Sequence, residues 1–208
     1  MAFEVLGTTG EVLFSDAVPA VVFWGKVTTS TSGTFTTNAP SFPLVFIHGS
    51  NPGVVIAISG VAGNWSVSTT SKSTVAYIFC KIPNVAQSTG LGLETFNSSN
   101  TLMFSTNYKM LKIVARVVLG NASTQTIDYG SIPETYAISA PYIGFQIFTN
   151  GCWGAAIKLA VKRTTATTIS VFPSGYGDSY QISNVFSNKT PDQIASQLIL
   201  FINPADYT

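Results

Sequence analysis

Charge is what this 208-residue sequence lacks most: Asp, Glu, Lys and Arg together make up 9% of it, where an average globular domain carries roughly 25%. The surface is therefore covered largely by Ser, Thr, Asn and Gly. The formal net charge is +1, and the basic residues are scattered. Only Lys158, Lys162 and Arg163 gather, in a stretch that reads as a strand with a solvated face. A protein that tracks phosphates needs a basic stripe, so nucleic acid is excluded as a partner.

Histidine is nearly absent. His48 is the only one, so a Ser/His/Asp triad would have to use it as its base. It sits in Leu44-Val-Phe-Ile-His-Gly49, at an expected strand end, and no Gly-x-Ser-x-Gly elbow accompanies it. The reading is a hydrogen-bonded strand-end residue. Cysteine is scarce too. Cys80 and Cys152, with one histidine, cannot supply the closed ligand set that zinc prefers. Two buried thiols are expected, with a single bridge as the alternative. Asp16, Asp128, Asp178, Asp192 and Asp206 stand isolated, which removes calcium. Gly175-Tyr-Gly177 lacks the third glycine and the strand-to-helix context of a phosphate loop.

Glycan cleavage needs two acids held about 5 to 10 Å apart. Sequence places no two acids together, and Glu4 and Glu94 belong to a repeat that explains them structurally. The expectation is a non-enzyme, with no catalytic residue, metal or cofactor. The apolar runs Ala17 to Trp24 and Leu44 to Ile47 are too short for a membrane-spanning helix of about 20 residues. Met1 opens onto Glu4 with no basic and then apolar leader, so no signal peptide is read. The sequons at Asn64, Asn97, Asn121 and Asn188 then carry no weight. Helical signal is confined to Thr190-Pro-Asp-Gln193, which has the order of a capped single turn.

What is present in abundance is β-forming sequence, with 46% hydrophobic residues in runs of Val, Ile, Thr, Phe and Tyr bounded by Gly, Pro, Asn and Ser. Among the expected strands are Val21 to Thr28, Leu44 to His48, Trp65 to Thr69, Thr74 to Ile82, Ala155 to Arg163, Thr168 to Phe172, Tyr180 to Val185 and Gln197 to Ile202. Several are apolar on both faces, as buried strands are.

The chain also resembles itself. Phe3-Glu-Val-Leu-Gly-Thr-Thr-Gly-Glu-Val-Leu-Phe-Ser-Asp16 lies over Leu93-Glu-Thr-Phe-Asn-Ser-Ser-Asn-Thr-Leu-Met-Phe-Ser-Thr106 without a gap. Looser matches follow in the same order: Pro52 to Ile58 with Pro141 to Ile147, and Tyr77-Ile-Phe-Cys-Lys-Ile-Pro83 with Leu198-Ile-Leu-Phe-Ile-Asn-Pro204. The expected fold is all-β, with two tandem β-sandwich-like modules related by internal duplication. Residues 1–83 form the first module, the polar stretch 84–90 the linker, and residues 91–208 a second, longer module.

Two aromatic segments read as candidate contact loops. Pro173-Ser-Gly-Tyr-Gly-Asp-Ser-Tyr180 offers Tyr176 and Tyr180, and Asn150-Gly-Cys-Trp-Gly154 offers Trp153. Rigid amphipathic rings on glycine-rich loops suit recognition, while hairpin turns with a packing aromatic are the competing reading.

The module opening resembles that of a family of phage minor tail proteins: a short strand, an Asn/Ser/Gly turn, then a hydrophobic pair followed by Phe-Ser. Gly92 to Val114 carries it, with Glu4 to Asp16 as a first occurrence. The resemblance implies a structural, non-enzymatic virion protein of a phage tail, at the tail tip, baseplate or fibre attachment. It also implies localisation to the virion and assembly with other tail proteins. Two copies in one chain depart from the simple pattern. The alternative is a receptor- or glycan-binding module that meets a host surface through the Tyr and Trp loops. Low charge with apolar strands points to a homo-oligomer, and a trimer follows from the resemblance.

Overall fold

The computed structural model describes residues 4–6, 12–15, 19–48, 55–69, 72–83, 92–119, 125–128, 133, 135–139, 145–150, 153–163, 168–181 and 197–208. Before residue 84 the strands are β1 (Glu4–Leu6), β2 (Val12–Ser15), β3 (Val21–Thr28), β4 (Thr34–Thr37), β5 (Leu44–His48), β6 (Val55–Val61), β7 (Asn64–Thr69) and β8 (Val75–Lys81). After residue 90 come β9 (Glu94–Phe96), β10 (Leu102–Ser105), β11 (Ala115–Leu119), β12 (Gln125–Asp128) and β13 (Ala137–Ser139). They are followed by β14 (Phe145–Asn150), β15 (Trp153–Arg163), β16 (Thr168–Gln181) and β17 (Gln197–Ile202). A 3-10 turn, Pro204–Tyr207, follows β17; Asn203 caps it by accepting the Ala205 N–H. Every strand pairing is antiparallel, and the protein is all-β among the described residues.

Three strands from each side of residues 84–90 share one six-stranded sheet, in the order β11-β17-β13-β5-β8-β3. The two sides join where Ile138 and Ser139 of β13 pair with Ile47 and Phe46 of β5. The sheet also closes. On the outer edge of β3, Phe23 N–H donates to Lys109 O at 2.7 Å, and Leu111 N–H donates to Val21 O at 2.8 Å. Three residues later, Val114 N–H donates to Phe201 O of β17 at 2.9 Å. In a flat sheet those two positions lie six strand spacings apart, about 29 Å. Three residues reach about 10 Å, so the sheet must curl until its edges meet, and residues 109–119 form the seam of a barrel.

Alternation along the strands gives this barrel two apolar faces. Inside, Phe46, Tyr77, Phe79, Ala137, Ile202 and Tyr207 form one buried cluster, with Val21, Phe23, Leu111 and Leu200 at its margin. Its aromatic rings meet edge to face: Phe79 lies 4.9 Å from Tyr207 and 5.3 Å from Phe46, within the favourable range for aromatic pairs. Outside, Val45, Ile47, Ala76, Ile78 and Cys80 pack with Phe35, Ala39 and Val67. Phe35 and Val67 belong to a three-stranded sheet, β4-β7-β6. This sheet covers the outer face of β5 and β8. A four-stranded sheet, β12-β16-β15-β14, is formed wholly by the later part of the chain.

Two hairpins precede the barrel strands. In the first, Glu4 pairs with Ser15 and Val5 with Phe14, and a register shift then sets Leu6 against Val12. In the second, Glu94 pairs with Ser105 and Thr95 with Phe104, and a shift at the same place sets Phe96 against Leu102. Asn97 holds the second turn by accepting N–H bonds from Ser99 and Thr101. This second hairpin grips the earlier part of the chain: Ala20 N–H donates to Met103 O at 2.9 Å, and Leu102 is buried with Val22 and Ile82.

Some expectations need correction or fall outside the described residues. The stretch Pro173 to Tyr180, read as a loop, lies inside β16. The long ladder with β15 overrides the local Gly and Pro preferences, and register shifts at Ala155/Ile157 and Ile157/Leu159 absorb the misfit. Cys80 is a free, buried thiol. Cys152, the linker 84–90 and the Thr190 to Gln193 turn lie outside the described residues. No helix among the described residues is long and apolar enough to cross a membrane.

Candidate functional site

Two of the three aromatic residues singled out in the sequence, Trp153 and Tyr180, lie close together in register. Trp153 opens β15 opposite Gln181, Tyr180 faces Gly154 across the ladder, and Tyr176 faces Ile157. Trp153 and Tyr180 therefore sit at one end of the β15–β16 ladder and Tyr176 nearer its middle, all on strands rather than on loops. His48 is half-buried at the end of β5, opposite Val75. Among the described residues no three His, Cys, Asp or Glu side chains gather as a metal set.

A cavity among the described residues lies elsewhere, between β3 and the three-stranded sheet, and its origin is a bulge. In β3, Phe23 pairs with Phe79 and Gly25 with Ile78, leaving Trp24 as the extra residue. Phe79 belongs to the inner cluster and Ile78 to the outer one. Trp24 and Gly25 are consequently both turned to the outer face, where Trp24 packs beside Val27. A side chain at Gly25 would point into open space, with nothing within 4 Å of its Cβ. A large ring next to a missing side chain leaves a hollow.

The opposite wall comes from the end of β4 and the β6–β7 turn. Trp24 Nε1–H donates to Asn38 Oδ1 at 2.9 Å, which fixes the indole edge. Gly63 N–H and Trp65 Nε1–H both donate to Ala39 O, at 2.8 and 2.9 Å, tying the turn to the segment after β4. Two glycines make that turn possible, since Gly60 and Gly63 have φ of 121° and 82°. The hollow encloses about 440 Å³, with Val27 and Ile78 among its apolar lining and Thr36, Thr37, Asn38 and Asn64 among its polar lining. Lys26 is the only charged residue among the described residues that line it. Chemically this is a surface of amides and hydroxyls around an indole, equipped to bind and with no paired acid–base groups.

Sequence reasoning passed over Trp24, although an isolated glycine inside a strand pattern is a signal for a bulge. Comparison of the chain with protein-family models, with curated proteins and with solved structures finds no match.

Proposed function

We propose that the chain is a structural, non-enzymatic component of a phage tail, built by internal duplication. The observation that carries this reading is the pair of hairpins. Each is the strand–turn–hydrophobic pair–Phe-Ser opening on which the family resemblance rests. Their registers coincide at a constant offset, including the shift after Val5 and after Thr95.

Strand order supports duplication further. The first part of the chain is ordered β3-β8-β5 in the barrel and β4-β7-β6 outside it. The later part is ordered β11-β17-β13 and β12-β16-β15, with β14 added at the edge. The same connectivity twice, meeting at the antiparallel pair β5–β13, is what a two-fold arrangement of copies produces.

A scaffold role also suits the scarcity of charge, because self-repulsion keeps soluble subunits apart. The chain is proposed to form a homo-oligomer, a trimer by the family resemblance, and to assemble with other tail proteins. Mass spectrometry of purified virions from the encoding phage tests the assignment. Stoichiometric copies of the chain in intact particles are expected. Its presence in the lysate and absence from purified particles overturns the reading.

A further inference from the structure

We propose that the hollow beside Trp24 is a binding site for a neutral saccharide unit. The inference rests on the cavity alone and holds whether or not the chain belongs to a phage tail. The volume of about 440 Å³ is in the usual range for small-molecule sites, ~300–1,000 Å³, and leaves room for one or two sugar rings. A pyranose has one C–H-rich face and an edge of hydroxyls. The half-buried indole of Trp24 offers the flat apolar wall that such a face needs. Around it, exposed Thr36, Asn38 and Asn64 supply both donors and acceptors, as a ring of hydroxyls requires.

The charge pattern narrows the class. Among the described residues that line it none is acidic, and Lys26 is the single cation. Lys26 pairs across the ladder with Tyr77, whose side chain belongs to the inner cluster. Its Cβ therefore starts on the opposite face of the strand, and its long side chain reaches the hollow only at the rim. A phosphate or carboxylate would meet one ammonium at the rim and no guanidinium fork, whereas the amides and hydroxyls of Thr36, Thr37, Asn38 and Asn64 match an uncharged hydroxyl-rich ligand. The site is also rigid before binding. The indole N–H is already held by Asn38, and the facing turn is held by Ala39, so little ordering accompanies capture.

The test uses the intact chain and the methyl glycosides of glucose, galactose and their N-acetylamino derivatives, with nucleosides as rival stacking ligands. NMR of the indole N–H resonances is the readout, and Trp24→Phe identifies the signal of Trp24. At least one glycoside is expected to shift that signal saturably at about 10 mM or below, a range suited to sites of millimolar affinity. Gly25→Val fills the hollow while suiting a strand, so binding should weaken at least tenfold with the dispersed spectrum of the fold retained. Asn38→Ala should also weaken it. Three results each overturn the proposal: an indole signal unmoved by every glycoside, binding unchanged in folded Gly25→Val, or nucleosides binding where glycosides do not.

Discussion

Gly60, near the end of β6, and Gly63, in the β6–β7 turn, are both at positive φ, yet they are constrained differently. A Cβ on Gly60 would lie 2.2 Å from the backbone oxygen of Asn64, whereas one on Gly63 meets nothing within 4 Å. Backbone cannot move aside as a flexible side chain does, so Gly60→Ala must break the β6–β7 pairing. A loss well beyond the ~1 kcal/mol typical of glycine's conformational advantage is expected. Gly63→Asn, placed in the region Asn tolerates, should cost less than about 1 kcal/mol. Urea unfolding of the two variants checks the contrast, and equal destabilisation would contradict it. Cys80 makes a second residue-level case. Burial raises its thiol from the ordinary 9.0 to about 11, only partly offset by its hydrogen bonds with Ser41. Tyr77 and Tyr207 are raised as well, again by burial first. A folded-state pKa above the unfolded one means the native state holds its proton longer. The stabilisation is therefore complete below pH 9 and declines as pH rises towards 11. Melting temperature should fall across that window, and less steeply in Cys80→Ala than in the parent. A thiol reagent should react at pH 8 only as fast as the protein opens.

Among the elements, the two hairpins permit a test of equivalence. Thr95 occupies the place that Val5 holds in the first hairpin, and its Oγ1 is buried with no hydrogen-bond partner among the described residues. An unpaired buried hydroxyl costs about 1–3 kcal/mol, so Thr95→Val should stabilise the protein, by about 1 kcal/mol once packing adjusts. Chemical denaturation measures it, and a loss of stability would mean that the two hairpin environments differ. The hairpins were legible because turn chemistry and period-2 alternation are local. For the same reason Val21–Thr28, Leu44–His48 and Gln197–Ile202 coincide with their sequence readings. The strands β4, β12 and β13 were not legible, since Thr-Phe-Thr-Thr, Gln-Thr-Ile-Asp and Ala-Ile-Ser carry too few apolar residues to outweigh loop composition. They exist because a neighbouring strand offers a ladder. The order within the sheets was equally hidden. Pro52–Ile58 matches Pro141–Ile147 in sequence, yet neighbour order sets β6 beside β7 as β15 lies beside β16 and leaves β14 over. Half of the candidate site was within reach, because Trp24-Gly25 announces a bulge. The facing wall is set by contacts between distant segments, which no local pattern encodes.

For the whole molecule, the decisive feature is that the barrel interior is shared. Phe46 and Phe79 come from β5 and β8 and are fully buried, but much of what covers them comes from beyond residue 90: Ala137, Ile202 and Tyr207. Tyr207 is also fastened at its hydroxyl, which accepts from Lys112 N–H at 2.7 Å and donates to Met110 O at 3.1 Å. Tyr207 thus packs into the barrel core and anchors the seam at once. Residues 1–83 expressed alone would expose the inner faces of β3, β5 and β8 and leave the β13-facing edge of β5 open, an invitation to aggregation. Removing the cover of one buried phenylalanine is comparable to losing it, about 3–5 kcal/mol. Two such residues approach the whole stability of a domain, about 5–15 kcal/mol. The fragment is therefore expected to lack a cooperative thermal transition, while the intact chain melts in one step. Mixing 1–90 with 91–208 during refolding should restore the transition, because the two pieces carry complementary strands of one closed sheet. A sharp, reversible melt of the 1–83 fragment alone would show instead that the first half is an autonomous module and that closure of the barrel adds little to its stability.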